Sequence, residues 1–227
     1  MIGVFTVEDE NGNTEQRIKI IRNEKLSDNM AWNSNIVNEW STASLNTYLN
    51  GEYYNGLDVE SKNLIEKSVY YLGGCSLDLE NHYGNSSNIY NCERRLTTYS
   101  GRTASWNGKI ALMYASNYSY TYAYGVDNIC NNDCSNCTIN NGAIPSNSWI
   151  YTGSSGIYIW LLTPRSDNLG NGTRALFISD NGYLAEKTNN SDGVDLSFGI
   201  RPTLYLSLQV KITSGDGTEQ NPYQLSL

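Results

Sequence analysis

The fold of this chain is decided by three apolar segments in its last third: IYIWLLTPRS (157–166), RALFISDNGYLAE (174–186) and SFGIRPTLYL (197–206). Each is rich in β-branched and aromatic residues and is bounded by Gly, Asn, Asp or Ser, which is typical of strands joined by turns. Polar loops on a regular strand scaffold favour a binding surface over a catalytic one. We predict strands at about 109–113, 157–163, 174–179, 182–186, 199–206, 209–213 and 223–225.

The N-terminal part of the chain predicts a hairpin and a helix ahead of these strands. Residues 2–8 and 16–22 alternate in polarity around a turn at 10–13, which indicates a β-hairpin. Apolar residues at helical spacing predict a helix from Thr42 to about Tyr53.

Capping residues predict where the helices begin and end. Ser41 is the expected N-cap of the first helix. A second helix is expected to begin after Asp58 and to end at the Gly-Gly pair at 73–74. Because helices come first and strands dominate afterwards, the order indicates an α+β fold. We expect a single domain over 1–227, with a long loop insertion at about 116–148.

The composition argues against two classes of partner. Lys and Arg total 15 against 23 Asp and Glu, for a formal net charge of −8, whereas nucleic acid and anionic membranes attract clustered basic residues. No segment approaches the ~18 apolar residues of a membrane-spanning helix, so we expect no membrane insertion of this segment. The polar character of the chain comes mainly from Asn, Ser, Thr and 18 Tyr. Tyr, Ser and Asn are residues that antibody loops use for adaptable contacts. An AT-rich genome is the alternative explanation, since its codons also favour Asn and Tyr.

Five cysteines lie at 75, 92, 130, 134 and 137. Disulfides that pin exposed loops are the favoured interpretation, and they imply a secreted or cell-surface location. We pair Cys75 with Cys92. Cys130 is expected to bond Cys137 or Cys134. The spacing of the last three cysteines also occurs in iron–sulfur and zinc sites, but here it lies in an Asn-rich segment without an evident fourth ligand.

Signatures of catalysis are weak. The single histidine, His82, has no GxSxG motif or predicted strand beside it, and no phosphate-binding GxxxxGK or GxGxxG occurs. Carboxylates from distant positions could pair for glycoside hydrolysis, and the candidates are Glu39, Glu52, Glu60 and Glu93. We therefore expect a non-enzymatic chain, with a carboxylate-dependent hydrolase as a less favoured alternative.

Calcium is the one cofactor with supporting residues. Asp9, Asn11 and Asn13 have the alternate spacing of a calcium loop, but the glycine is misplaced and no closing Glu follows, so a hairpin turn is preferred. Separate loops provide a second candidate set: Asp167, Asn168, Asp180, Asn181, Asp192 and Asp195. We expect no cofactor, with calcium as the alternative.

Arg201 and most tryptophans are interpreted as structural. Arg201 precedes Pro202 in an apolar segment, so we expect it to be partly buried and bonded to carbonyl or carboxylate acceptors. Pro202 lacks a backbone donor and suggests a sheet edge or a bulge. The core is expected to hold Trp32, Trp40, Trp106 and Trp160.

The candidate ligand-binding residues are aromatic or polar residues of the predicted loops. Alternation with Ser, Thr and Ala would place four rings on one side of an extended segment: Tyr118, Tyr120, Tyr122 and Tyr124. Other loop positions contribute Trp149, Tyr158, Arg165 and Asn168.

Motifs spread over nearly the whole chain resemble a group of surface and pilus-associated proteins of low-GC bacteria. They include RIKIIR (17–22), WSTASLNTYLN (40–50), GKIALMYASNY (108–118), WLLTP (160–164), GIRPTLYL (199–206) and ITSGDGTEQNPYQL (212–225). The GIRP motif also looks like the final strand of the C-type-lectin-like fold, in its formylglycine-generating-enzyme variant. That resemblance implies two early helices packed on a twisted, mostly antiparallel sheet with long loops.

The resemblance implies an exported, adhesin-like binding module. Its partner would be a glycan or protein of a host or neighbouring cell. The lectin motifs EPN, QPD and WND are absent, so calcium-dependent sugar binding is not expected to carry over. The formylglycine-generating enzymes use a reactive cysteine pair late in the sheet, and no cysteine follows 137 here, so their oxidase activity is not expected either. A pilin-like structural subunit without a ligand pocket is the main alternative. Because the chain opens directly on strand-like residues, we expect an export signal or anchor outside this segment.

Overall fold

A computed structural model describes residues 1–74, 86–96, 98, 101–120, 150, 156–165, 172–180, 182, 184–185, 193–218 and 220–227. Within these ranges the chain is a mixed, sheet-rich structure with short helices. Its strand ladders are antiparallel. This content agrees with the predicted α+β class.

Among the described residues, nine strands lie close to the positions that alternation and apolar runs predict, whereas the strands at 30–31, 65–66, 68–71, 105–108 and 197–198 were not predicted. In chain order the strands are β1 (Gly3–Glu8), β2 (Thr14–Ile21), β3 (Met30–Ala31), β4 (Ile65–Glu66), β5 (Ser68–Tyr71), β6 (Ser105–Gly108), β7 (Ile110–Leu112), β8 (Ile159–Pro164), β9 (Ala175–Ile178), β10 (Leu184–Ala185), β11 (Ser197–Phe198), β12 (Pro202–Leu206), β13 (Lys211–Ser214) and β14 (Gln224–Ser226). The predicted hairpin is confirmed as β1 and β2. In its turn, the Asp9 carboxylate accepts hydrogen bonds from the backbone N–H groups of Asn11 and Asn13, each at 2.8 Å.

The helical segments are short and follow one another early in the chain. They comprise a 3₁₀ turn (Trp40–Thr42), α1 (Ser44–Tyr48), a π-helical turn (Leu49–Tyr53), α2 (Tyr54–Gly56), α3 (Val59–Leu64), α4 (Ser86–Glu93) and α5 (Ala115–Tyr120). The first predicted helix, Thr42 to about Tyr53, is found as a continuous helical run over 44–56 that starts two residues later and ends three residues later than predicted, because Ala43 is extended. Its predicted cap is wrong. Glu39, not Ser41, accepts the hydrogen bond that caps the 3₁₀ turn.

The second predicted helix begins correctly and ends too late. Asp58 caps α3 by accepting the N–H of Ser61 at 2.6 Å. The helix stops at Leu64, because Ile65 is extended and pairs with Leu206 of β12. Tertiary pairing of a β-branched residue therefore overrides the helical spacing that predicted a longer helix.

The strand β12 is the centre of a five-stranded sheet. One of its edges pairs with β2, and its other edge pairs with β7 and then with β4. The prediction that Pro202 marks a sheet edge is therefore wrong. Pro202 is the first residue of the strand, where proline is tolerated, and its carbonyl accepts the N–H of Arg22 at 3.0 Å.

A second sheet, in the order β10-β9-β8, carries the other apolar segments of the last third. Every residue of β8 and of β9 is buried. The two sheets are joined at Gly199. Its carbonyl accepts the N–H of Trp160 at 3.0 Å, and its N–H donates to the carbonyl of Tyr158 at 2.8 Å. The segment Gly199–Pro202 thus links the two sheets as well as leading into β12.

The predicted tryptophan core is confirmed. Trp32, Trp40 and Trp160 are at most 2% exposed, and Trp106 is partly buried against them. The ring centroids of Trp32 and Trp40 lie 5.1 Å apart, and those of Trp40 and Trp106 lie 6.2 Å apart in an edge-on arrangement. Aromatic side chains of this size each bury on the order of 200 Å², so they account for much of the apolar core around which the sheets pack.

Candidate functional site

Five polar side chains are buried together where β2, β8, α4 and α5 come into contact. We call Lys19, Glu93, Ser116, Asn117 and Thr163 the buried polar cluster, and each is at most 3% exposed. Glu93 is the one buried acidic residue in the part of the chain that the structure describes. Charged residues are rarely buried to this extent, and such groups gather at functional sites and in organised hydrogen-bond networks.

Lys19 lies at the centre of a cage of tyrosine rings. Its Nζ donates a hydrogen bond to Oδ1 of Asn117 at 2.9 Å. The ring centroids of Tyr114, Tyr205 and Tyr70 lie 4.5, 5.2 and 5.8 Å from the same nitrogen. Such rings attract a cation through their electron-rich faces, but they replace only part of the hydration that an ammonium group loses.

Glu93 is held by hydroxyl and amide donors. Ser116 donates to its carboxylate from the backbone N–H at 3.1 Å and from Oγ at 2.5 Å. Thr163 donates from Oγ1 at 2.5 Å, and the same hydroxyl accepts the N–H of Ala115 at 2.9 Å. Burial raises the pKa of Glu93, and the hydrogen bonds from Ser116 and Thr163 partly oppose that rise.

The ammonium and carboxylate groups of the cluster influence each other without direct contact. Burial lowers the pKa of Lys19 to about 7, an effect that the charge of Glu93 opposes and that of Arg94 reinforces. Ion pairs among the described residues join Arg17 to Glu15 and Lys67 to Glu10, and none includes Lys19. Lys19 is therefore an amine that loses its proton near neutral pH.

The backbone holds the cluster in place from two sides. Gly73 donates its N–H to the carbonyl of Glu93 at 2.9 Å, which fixes the end of α4 against the residues that follow β5. Leu162 of β8 donates to the carbonyl of Met113 at 2.9 Å, just ahead of α5. The strand that carries Thr163 and the helix that carries Asn117 are thereby joined at their shared end.

Replacement of Glu93 by Gln is expected to change the pH dependence of stability. Because burial raises the pKa of Glu93, the folded state favours the protonated acid. Its stabilisation is present below the ordinary pKa of 4.5 and is lost as the pH rises through the folded value. Glu93→Gln should therefore gain free energy of unfolding relative to the unsubstituted protein as the pH rises, by about 1.4 kcal/mol for each unit of pKa elevation.

Urea unfolding at a series of pH values checks this prediction. Glu60→Gln is the control, since it makes the same chemical change at an exposed position. A difference for Glu93→Gln that is flat, or that falls with rising pH, would contradict the elevated pKa. Other titratable groups that interact electrostatically with Glu93 or Lys19 are the side chains of Arg94, Tyr114 and Tyr205, and all three remain in the variant.

The predicted tyrosine face is wrong where the structure describes it. Residues 115–120 form α5 instead of an extended segment, so side chains two residues apart point about 200° apart around the helix. Tyr118 is 2% exposed and donates its hydroxyl to the carbonyl of Gly182 at 2.8 Å. Tyr120 is 52% exposed. Tyr118 is therefore a core residue, whereas Tyr120 is half exposed at the end of α5.

Two other predicted ligand residues lie deeper than a surface loop would place them. Tyr158 is partly buried, and its ring stacks on Phe198 at 5.0 Å with an interplanar angle of 26°. Arg165 is 3% exposed, and its carbonyl accepts hydrogen bonds from Asn38 and Arg102. The exposed position expected for Arg165 is thus wrong, because the end of β8 is covered by the segment around Asn38.

Other predicted site residues lie outside the described residues: Tyr122, Tyr124, Trp149, Asn168, Cys75, Cys130 and Cys137. Cys92 is disulfide-bonded, and its pairing with Cys75 stays a prediction. Within the described ranges, no group of three or more His, Cys, Asp or Glu side chains is arranged to hold a metal ion.

The buried polar cluster was largely missed by sequence reasoning. Glu93 was one of four hydrolase candidates, but its burial separates it from any external substrate. Lys19 alternates with isoleucines in β2, and charged positions of such a strand are normally assigned to the solvent face. The available signal was a second basic residue two positions earlier, since Arg17 is also buried and lies on the same face of the strand.

Comparison of the chain with other proteins adds no relative from which a function could be inferred. The described helices include none with both the length and the apolar character needed to cross a bilayer. No protein-family model, curated protein or solved structure matches this chain.

Proposed function

We propose that this chain is an exported, non-enzymatic binding module with a C-type-lectin-like fold, which attaches to a glycan or protein of a host or neighbouring cell. The observation that carries the proposal is the disulfide at Cys92, since stable disulfides form mainly in oxidising compartments outside the cytoplasm. The short early helices followed by an antiparallel sheet around β12 are compatible with that fold.

A binding role is favoured over hydrolysis by the positions of two candidate carboxylates. Glu93 is fully buried. Glu39 accepts hydrogen bonds from the backbone N–H groups of Ser41 and Thr103 at 3.2 and 2.9 Å, so it caps a turn and ties two segments together. Carboxylates that cleave a glycosidic bond must face the substrate, and these two are engaged in structural bonds instead.

The end of α5 is the proposed start of the ligand-binding surface. Tyr120 is half exposed there, and the Tyr- and Asn-rich sequence of 121–149 follows it directly. Tyrosine provides a large, rigid contact area at low entropic cost, and its hydroxyl can bond to sugars or peptide groups. We therefore include Tyr120, Tyr122 and Tyr124 in the proposed surface and leave out Tyr118, which belongs to the core.

Binding of the oxidised chain to a glycan array and to cells tests the proposal. Replacing Tyr120, Tyr122 and Tyr124 together by Ser should weaken attachment by about tenfold or more, because several aromatic contacts are removed at once. Tyr223→Ser is the matched control, since Tyr223 is also 52% exposed but lies next to β14 at the other end of the chain. Attachment of the control should be unchanged.

Two results would reject the proposal. One is the absence of any bound glycan, protein or cell, which would favour a structural envelope subunit. The other is unchanged attachment of the triple variant to whatever the unsubstituted chain binds, which would remove the tyrosines from the binding surface.

A further inference from the structure

We propose that Lys19 and Asn117 become joined by an intramolecular isopeptide bond, formed by the chain itself within its folded core. The bond would link Nζ of Lys19 to Cγ of Asn117, which lie on β2 and α5 and are separated by 98 residues in sequence. The proposal begins from their geometry, since the amine donates to the side-chain amide at 2.9 Å and both side chains are buried. It does not depend on the proposed ligand binding.

The environment of Lys19 suits a neutral amine that attacks an amide better than a charged member of an ion pair. A buried ammonium normally has a carboxylate partner, because an isolated buried charge is costly. Within the described ranges the Lys19 side chain has an amide and three tyrosine rings around it and forms no ion pair. Only a deprotonated amine is nucleophilic. With its pKa lowered to about 7 by burial, Lys19 has an appreciable neutral fraction at physiological pH.

The reaction needs no cofactor, oxidant or reductant. The lone pair on Nζ attacks the Cγ carbon of Asn117 and forms the new C–N bond. The bond from Cγ to Nδ2 breaks, and Nδ2 leaves as ammonia with one of the protons that Nζ carried. A primary amine and a primary amide thus yield a secondary amide and one molecule of ammonia. Because the fold holds the amine and the amide in contact, no bimolecular encounter is needed, and this proximity removes a large part of the activation barrier.

Glu93 is a positioning residue for this bond. Its carboxyl group binds the backbone and the hydroxyl of Ser116, the neighbour of Asn117, and so fixes the first turn of α5 over Lys19. Thr163 secures the same carboxyl group from β8. Burial of the whole cluster also excludes the water that would compete with the amine or hydrolyse an intermediate.

The mass of the intact chain, measured after reduction and denaturation, decides the proposal without any variant. We expect the unsubstituted chain to weigh less than its sequence by the mass of one ammonia. Because succinimide formation at a sequence such as Asn11-Gly12 also releases ammonia, tryptic peptides must be examined. The expected product is peptide 18–22, uncut after Lys19, covalently joined to the peptide that contains Asn117. A full sequence mass, or a loss of ammonia without this joined peptide, would overturn the proposal.

Variants assign the reacting groups. Lys19→Met and Asn117→Ala should each keep their full sequence mass, whereas Asn117→Asp should lose one water instead of one ammonia. Lys109→Arg is the matched control, because the Lys109 ammonium also lies over a tyrosine ring, 4.6 Å from the centroid of Tyr54. It should retain the full loss of ammonia. Loss of ammonia by folded Lys19→Met would also overturn the assignment.

A test of Glu93 separates positioning from general stability. Glu93→Gln should fold, as followed by near-ultraviolet circular dichroism, and yet leave a substantial fraction of chains at the full sequence mass. Thr163→Ser keeps the hydroxyl that holds Glu93 and should remain fully crosslinked. Complete crosslinking of Glu93→Gln would show that Glu93 does not position the reacting amide.

Discussion

Replacing Arg201 by Ala is expected to lower the free energy of unfolding by about 3 kcal/mol or more, the sum for two hydrogen bonds from a charged donor. The side chain is 2% exposed. Its Nε donates to the carbonyl of Arg22 at 3.0 Å, and its Nη1 donates to the carbonyl of Ile150 at 3.1 Å. Truncation would leave both carbonyls without this donor and open a cavity beside β12.

Two further variants separate the loss of the hydrogen bonds from the loss of side-chain volume. Arg201→Met fills most of the volume without donating, so it should destabilise the protein less than Arg201→Ala but still measurably. Lys67→Ala is the control at an exposed site: Lys67 is 53% exposed, and its ion pair with Glu10 is long at 3.6 Å. Its effect should stay within about 0.5 kcal/mol. Urea unfolding at neutral pH provides all three values, and equal stability of Arg201→Ala and Lys67→Ala would contradict the structural role of Arg201.

The structural role of Arg201 could be predicted because it depends on local sequence. An arginine in an apolar segment must find acceptors, and a residue before proline is held extended. The same holds for the hairpin turn at Asp9 and for the start of α3 after Asp58, where one side chain caps neighbouring backbone groups. Such features follow from a few consecutive residues, so a single sequence suffices to recognise them.

The buried polar cluster could not be predicted because its members come from four distant segments. Lys19 and Asn117 are 98 residues apart, and Glu93 and Thr163 are 70 apart. Nothing in the sequence of either partner reveals the other. The prediction for Tyr118 failed for a related reason: alternation with small polar residues suits an extended segment, but hydrogen bonding of Ala115 and Ser116 to Thr163 and Glu93 starts a helix there.

Gly73 is a backbone position at which a single added methyl group should disturb this cluster. A Cβ added to Gly73 would lie 2.5 Å from the carbonyl oxygen of Arg95 and 2.6 Å from that of Cys92. Both are backbone atoms at the end of α4, so neither can rotate away as a flexible side chain would. Gly73→Ala should therefore lower the free energy of unfolding by about 3 kcal/mol, at the upper end of the usual cost of overpacking.

Gly51→Ala is the matched control for this substitution. Gly51 lies in the π-helical turn, and an added Cβ would have no atom within 4 Å. Removing glycine from a helical segment should stabilise the protein by about 0.5–1 kcal/mol. The two alanine substitutions are thus expected to have opposite signs in the same unfolding assay. Equal effects would mean that α4 moves freely away from Gly73.

The clash at Gly73 also has a consequence for Glu93. Because the N–H of Gly73 binds the carbonyl of Glu93 at 2.9 Å, a displaced α4 must carry the carboxyl group away from Ser116 and Thr163. In the Gly73→Ala background, the pH-dependent change in stability caused by Glu93→Gln should therefore shrink, since an acid that reaches water regains an ordinary pKa. Persistence of the full change would show that the cluster is held by its side-chain bonds alone and that contact with Gly73 is not required.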